Sequence, residues 1–202
     1  MTSRGTQVRV ASPVPARPPL SVDTLAAMQK LMGRYPRPRS ALLPMLYLVQ
    51  AEHGFVSREG MKEVGKLLGL SAAEIAAVAT FYTMFKRRPC GTWLLSVCTN
   101  VSCDLAGGTK IYRRLKEALG AETEETTADG LFTVEEVECL GACDGAPVLQ
   151  VNYENYEHVT EDLALSLIES LRAGNVPQPT RGERPKESNA VSRRLSSVEA
   201  KP

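Results

Sequence analysis

The chain has 202 residues, a formal net charge of +1 and 43% hydrophobic residues. So balanced a charge gives no overall field for holding nucleic acid or a membrane surface. The composition suits one or two small globular domains, and no apolar run approaches the ~18 residues that a membrane helix needs.

The start, "MTSRGTQVRVASPVPARPPL", lacks the apolar stretch of a secretory signal. Its Arg and Ser content is also that of a mitochondrial transit peptide, but Pro13, Pro15, Pro18 and Pro19 would break an amphipathic helix. A disordered tail over 1–20 is the expectation. From 21 to 88 the signals are helical. "VDTLAAMQKLM" sets Leu25, Met28, Leu31 and Met32 at helical spacing, with Asp23 or Thr24 as candidate N-cap. "SALLPMLYLVQAEHG" starts at Ser40 and stops at Gly54, with Pro44 in the first turn, where a missing N–H breaks nothing. "SREGMKEVGKLLG" runs from Ser57 to Gly69. "SAAEIAAVATFYTMF" opens on a capping box, Ser71 with Glu74. Ile75, Val78, Phe81, Tyr82 and Phe85 then form an apolar stripe, suited to core packing or to a partner. Four short helices predict a small bundle.

Beyond 89 the period changes. "TWLLSVC" and "LFTVEEVEC" read as strands, and "GTKIYRRLKEALG" as a helix ended by Gly120. "APVLQVN" and "YEHVT" flank "YEN" as a hairpin, and "EDLALSLIESLRAG" is a closing helix with acids in its first turn. The order predicts a small mixed sheet with helices packed on it over 89–173. Residues 174–202 are polar and Pro-bearing and read as a second disordered tail.

Four of the five cysteines form C-x4-C, 35 residues, then C-x3-C: Cys98, Cys103, Cys139 and Cys143. Each pair follows a predicted strand, so two strand-end loops can bring four sulfurs to one pole of a sheet. Gly107, Gly108, Gly141 and Gly145 would let the backbone turn its N–H groups toward a bound anion. Two disulfides would need an oxidising compartment, for which the sequence carries no sign. Zinc suits four thiolates, though zinc ribbons favour C-x2-C. A [2Fe–2S] cluster takes two thiolates per iron, and C-x4-C occurs in plant-type ferredoxins. Spacing alone leaves these three open. Cys90 reads as a bystander at the strand entrance, and His53 and His158 follow no ligand spacing. No G-x-G-x-x-G and no P-loop is present, so hydride chemistry would belong to a partner.

"ATFYTMF", "CTNVSC" and "DGLFTVEEVECLGACDGAPVLQVN" resemble the peripheral [2Fe–2S] subunits of bacterial NADH-quinone oxidoreductase, respiratory complex I, over about residues 23–172. The resemblance implies an α+β chain: an N-terminal helical bundle followed by a thioredoxin-like [2Fe–2S] ferredoxin domain. It implies Cys98, Cys103, Cys139 and Cys143 as the cluster ligands. It implies single-electron exchange with a flavin (FMN) on a partner subunit that binds NADH. It implies membrane association only through the complex, on the cytoplasmic side of the bacterial inner membrane, with other peripheral-arm subunits as further partners. An NAD-linked hydrogenase or formate dehydrogenase could employ an equivalent module, and a zinc-binding interaction module is the reading from another class. Asp104 and Asp144, each next to a ligand, would disfavour cluster reduction if their charges lie near it.

Overall fold

The computed structural model describes residues 14–122 and 124–197. Its N-terminal part is helical: α1 (Val22–Met32), α2 (Leu42–His53), α3 (Arg58–Leu68) and α4 (Ala72–Phe81). Ser21, not Asp23 or Thr24, caps α1, its hydroxyl accepting from the Thr24 N–H. A 3-10 turn over Pro38–Ala41 leads into α2, which therefore begins two residues beyond Ser40. Pro44 lies in its first turn. The capping box at Ser71 and Glu74 is formed. The core of this part gathers Met28, Leu31, Met45, Leu46, Val49, Val64, Ile75 and Phe85.

The apolar stripe of α4 divides. The helix ends at Phe81 and Tyr82 turns extended, at φ −94° and ψ 113°. Helical spacing stops there, so Phe85 swings inward to 3% exposure while Phe81 is left 75% exposed, edge-on to Tyr82.

The second part holds β1 (Trp93–Cys98), α5 (Val101–Leu105), α6 (Gly108–Leu119), β2 (Phe132–Val137), β3 (Leu149–Val151), β4 (Glu154–Tyr156) and α7 (Glu161–Arg172). The sheet order is β2-β1-β3-β4. β1 runs parallel to β2, paired from Trp93↔Phe132 to Cys98↔Val137, and antiparallel to β3. A parallel pair needs a crossover, which α5 and α6 supply. β3 and β4 form a hairpin, but β4 falls largely on the "YEN" expected as the turn and takes only Tyr156 of "YEHVT". Its turn is Asn152 and Tyr153, both at positive φ. That is the residue requirement of a two-residue type I′ turn. Asn152 is buried, and its side chain accepts from the Leu94 N–H and donates to the Thr92 and Lys186 carbonyls. Leu95, Leu115, Phe132, Val134, Leu149, Leu167 and Ile168 make a second core between sheet and helices.

Both expected tails need correction within the described residues. Residues 14–20 lie along the bundle: Leu20 is buried, its N–H donates to Glu63, and the Arg17 N–H donates to Glu59. Residues 1–13 lie outside the described residues. Toward the C-terminus, 174–197 crosses the sheet edge and ends in α8 (Ser188–Leu195), which packs on α2. Val191 is buried, and Gln50 of α2 donates to the Ser192 hydroxyl. The segment has few apolar residues, but its polar groups are spent on distant backbone. Ser188 meets Gly91, Thr180 meets Asn155, and the Tyr156 hydroxyl donates to the Pro177 carbonyl. Residues 198–202 lie outside the described residues. Among the described residues no single helix is long and apolar enough to cross a membrane.

Candidate metal centre

Cys98 ends β1, where the register pairs it with Val137, the last residue of β2. The two strands are parallel, so the loops after both leave from the same end of the sheet. The loop after β1 becomes α5, capped by Asn100, and delivers Cys103. The loop after β2 delivers Cys139 and then Cys143, which opens a 3-10 turn over Cys143–Gly145. All four candidate cysteines thus stand at one pole, as strand-end placement predicts.

The thiols come as two unlike pairs. Cys98 and Cys103 are buried, at 2% and 1% exposure, within a small apolar nest with Ala142 and Val148. Cys139 and Cys143 are exposed, with their sulfurs 3.9 Å apart. None of the four is in a disulfide. Burial, the neighbouring Cys98 thiol and the Cys143 charge push the Cys103 thiol up to about 11, against the Val148 N–H, which pulls the other way. The Cys143 thiol is likewise raised, chiefly by Cys139 and then by Cys98 and Asp144. Cys103 and Cys143, one thiol from each pair, resist ionising and need a cationic centre to become thiolates. Among the described residues no three His, Cys, Asp or Glu side chains converge on a single ion. Two thiol pairs would offer two thiolates to each metal of a dinuclear centre.

The loops supply donors as well. The Gly141 N–H donates to the Cys139 sulfur at 3.4 Å. Such bonds favour negative charge on sulfur. Gly108 opens α6 directly beneath the ligand loop. A Cβ there would stand 2.4 Å from the Cys98 carbonyl oxygen and 2.9 Å from that of Cys103. Both obstacles are backbone and cannot rotate away. Gly108→Ala is expected to cost roughly 1–3 kcal/mol of stability, the usual penalty of overpacking, read as a lower urea midpoint.

The residues named beside the ligands behave differently from one another. Asp104 accepts from the Thr109 hydroxyl. Asp144 pairs with Arg181, which holds its carboxyl below the usual range. Leu140 packs on the apolar nest, while Val101 is 70% exposed. Cys90 lies at the other end of β1. Its thiol is in hydrogen-bond contact with Thr133, which pairs with Leu94. From Trp93 to Cys98 a strand spans about 17 Å, so Cys90 cannot join the four. His53 is buried at the end of α2 with Nδ1 2.7 Å from the Ser57 hydroxyl, a structural role. Sequence reasoning passed over Arg181. It sits in a polar stretch with no periodicity to flag it.

A family model described as thioredoxin-like [2Fe-2S] ferredoxin matches residues 28–172. The chain is 47% identical over 164 residues to an NADH-quinone oxidoreductase subunit of Mycobacterium tuberculosis, covering 79% of this chain and 65% of that protein. The match therefore spans a little under two thirds of the mycobacterial relative's length. It is 41% identical over 150 residues to "NADH-quinone oxidoreductase subunit 2" of Thermus thermophilus, covering 73% of this chain and 83% of that one. Among solved structures, an NAD+-reducing [NiFe]-hydrogenase superposes with a TM-score of 0.53 at 23% identity, over 75% of this chain and 23% of that one, a likeness of fold. With a matching family model over most of its length and relatives of this identity, the chain belongs to the thioredoxin-like [2Fe-2S] ferredoxin family.

Proposed function

We propose that this chain is the peripheral electron-transfer subunit of an NADH-quinone oxidoreductase, and that Cys98, Cys103, Cys139 and Cys143 hold one [2Fe–2S] cluster. The observation that supports this most is the gathering of four unbridged cysteines at one pole, in two pairs, from the ends of two parallel strands. A bound cluster would supply a site that takes up and gives back one electron at a time. The protein's part is to fix the four sulfurs, to cover Cys98 and Cys103 from water, and to leave Cys139 and Cys143 at the surface. Exposure on that side suits exchange with a group on another subunit. FMN and NADH belong to that partner in this reading. Attachment to the membrane, at its cytoplasmic face, comes through the complex. The hydrogenase likeness is one of fold, and the sequence relatives favour the quinone-linked assembly.

The test is whether NADH bleaches the visible absorption of the loaded chain. Bleaching is expected only when the flavin-bearing subunit is added. Bleaching by NADH alone, or none with the partner present, would count against the proposal. Docking should draw on Phe81, which is exposed and stacked edge-on against Tyr82 at 4.9 Å. An exposed aromatic of this kind is a typical interface anchor. Phe81→Ser is expected to leave thermal stability within about 0.5 kcal/mol of the wild type. It should weaken partner binding at least roughly tenfold, or about 1.4 kcal/mol. Equal binding of the variant and wild type would remove Phe81 from the interface.

A further inference from the structure

Arg181 reaches the cysteine pole from outside the stretch matched by the family model. It lies nine residues beyond Arg172, the last residue of that match and of α7. One edge of its guanidinium pairs with Asp144, and its Nε lies 2.6 Å from Glu157 Oε1. Asp144 is the residue after Cys143 and the middle of the turn that Cys143 opens. Glu157 is only 9% exposed at its side chain. Gly145, the last residue of the same turn, presses on Glu157 so closely that a Cβ would come within 2.5 Å of its carboxyl carbon. His158, next in the chain, donates its N–H to the Gly145 carbonyl at 2.7 Å.

The guanidinium is held in place from behind. The Thr180 and Arg181 N–H groups both donate to the Asn155 carbonyl, at 2.9 and 3.2 Å, and the Thr180 hydroxyl accepts from the Glu157 N–H at 2.7 Å. Residues 180–181 are thus fastened to the edge strand β4. One cation is fixed between two carboxylates that brace the Cys143 turn.

We propose that Arg181 is a positioning and charge-compensating residue of the cysteine pole, which keeps the reduction potential of a cluster held there more positive than its acidic loop alone would set. This rests on the reading of the four cysteines as cluster ligands. The physical basis is Coulombic. Adding an electron to a centre that is already anionic costs more beside uncompensated carboxylates, and neighbouring charge is a principal lever on such potentials. Arg181 offsets one of two negative charges next to Cys143.

The experiment is a redox titration, followed by electron paramagnetic resonance, of the full chain loaded with iron and sulfide. Arg181→Met is expected to move the potential negative and Asp144→Asn positive. The double variant should fall between them, near the wild type, while Arg181→Lys, which keeps the charge, should stay closer to the wild type than Arg181→Met. A fully loaded Arg181→Met chain with an unmoved potential overturns the proposal. If that variant does not retain its cluster, Asp144→Asn decides: a positive shift supports the proposal and no shift overturns it. A wild-type chain that takes up no iron and sulfide overturns the cluster assignment, and this proposal with it. That outcome is told apart from the others by metal analysis before any titration.

Discussion

Alanine at Cys98, Cys103, Cys139 or Cys143 should each strip the chain of most of its iron and acid-labile sulfide, while serine at Cys90 leaves both unchanged. Each of the four removals leaves one metal short of a thiolate. The effects should not be equal. Cys98 and Cys103 are sealed at 2% and 1% exposure, so no water or buffer thiol can take the vacated position without opening the nest around Ala142 and Val148. Cys139 and Cys143 are exposed, and an added small thiol can reach them. Rescue of cluster content by a small exogenous thiol is therefore expected for Cys139→Ala or Cys143→Ala and not for the buried pair. Serine is a weaker test at all four, since its oxygen can replace sulfur as a ligand. Cys90 is set apart by its place at the entrance of β1, against Thr133, with its thiol raised by burial. Loss of iron in the Cys90 variant, with retention in any one of the other four, would overturn the ligand set. The measurement is iron and sulfide per chain in five single variants.

Deleting residues 176–202 should lower the melting midpoint by roughly 5 to 10 °C while the thiolates, and so the visible spectrum of a loaded chain, persist. Val191 is 2% exposed, and burying such a side chain contributes about 1.5–3 kcal/mol. At about 2–4 °C per kcal/mol for a chain of this size, that side chain accounts for most of the fall. The deletion also opens the face of α2 that α8 covers, where Gln50 loses Ser192 and keeps only its bonds to Met84 and Lys86. At the other end of the strap the Tyr156 hydroxyl loses the Pro177 carbonyl. An unchanged midpoint would mean that α8 adds no net stability. Composition alone pointed to a disordered tail, because it counts apolar residues and cannot count distant polar partners.

Much of this molecule is written locally. The capping box at Ser71, the left-handed glycines that end α2, α3 and α6, and the switch from helical to strand periodicity after residue 90 depend on neighbours a few positions apart. The cysteine spacing belongs with them. Strand-end loops after two parallel strands must open on one side of the sheet, so the pole follows from topology once the strands are read. Which cysteines are sealed was not legible, since C-x4-C and C-x3-C say nothing of Val148 or Ala142 closing over one pair. The turn of Tyr82 out of the helix likewise split a continuous apolar stripe into a core residue, Phe85, and a surface one, Phe81. The C-terminal strap was the largest omission. Its order rests on Gln50 with Ser192, 142 residues apart, and on the Arg34 guanidinium donating to the Ser197 carbonyl across 163. The sequence by itself determined α1 to α4, α6, α7, β1, β2 and the spacing of the four thiols, because short-range periodicity, caps and spacing encode them. Only the tertiary structure decided the buried and exposed cysteine pairs, the seating of α8 and the arrival of Arg181 beside Asp144, because each depends on polar groups that meet only after the chain has closed on itself.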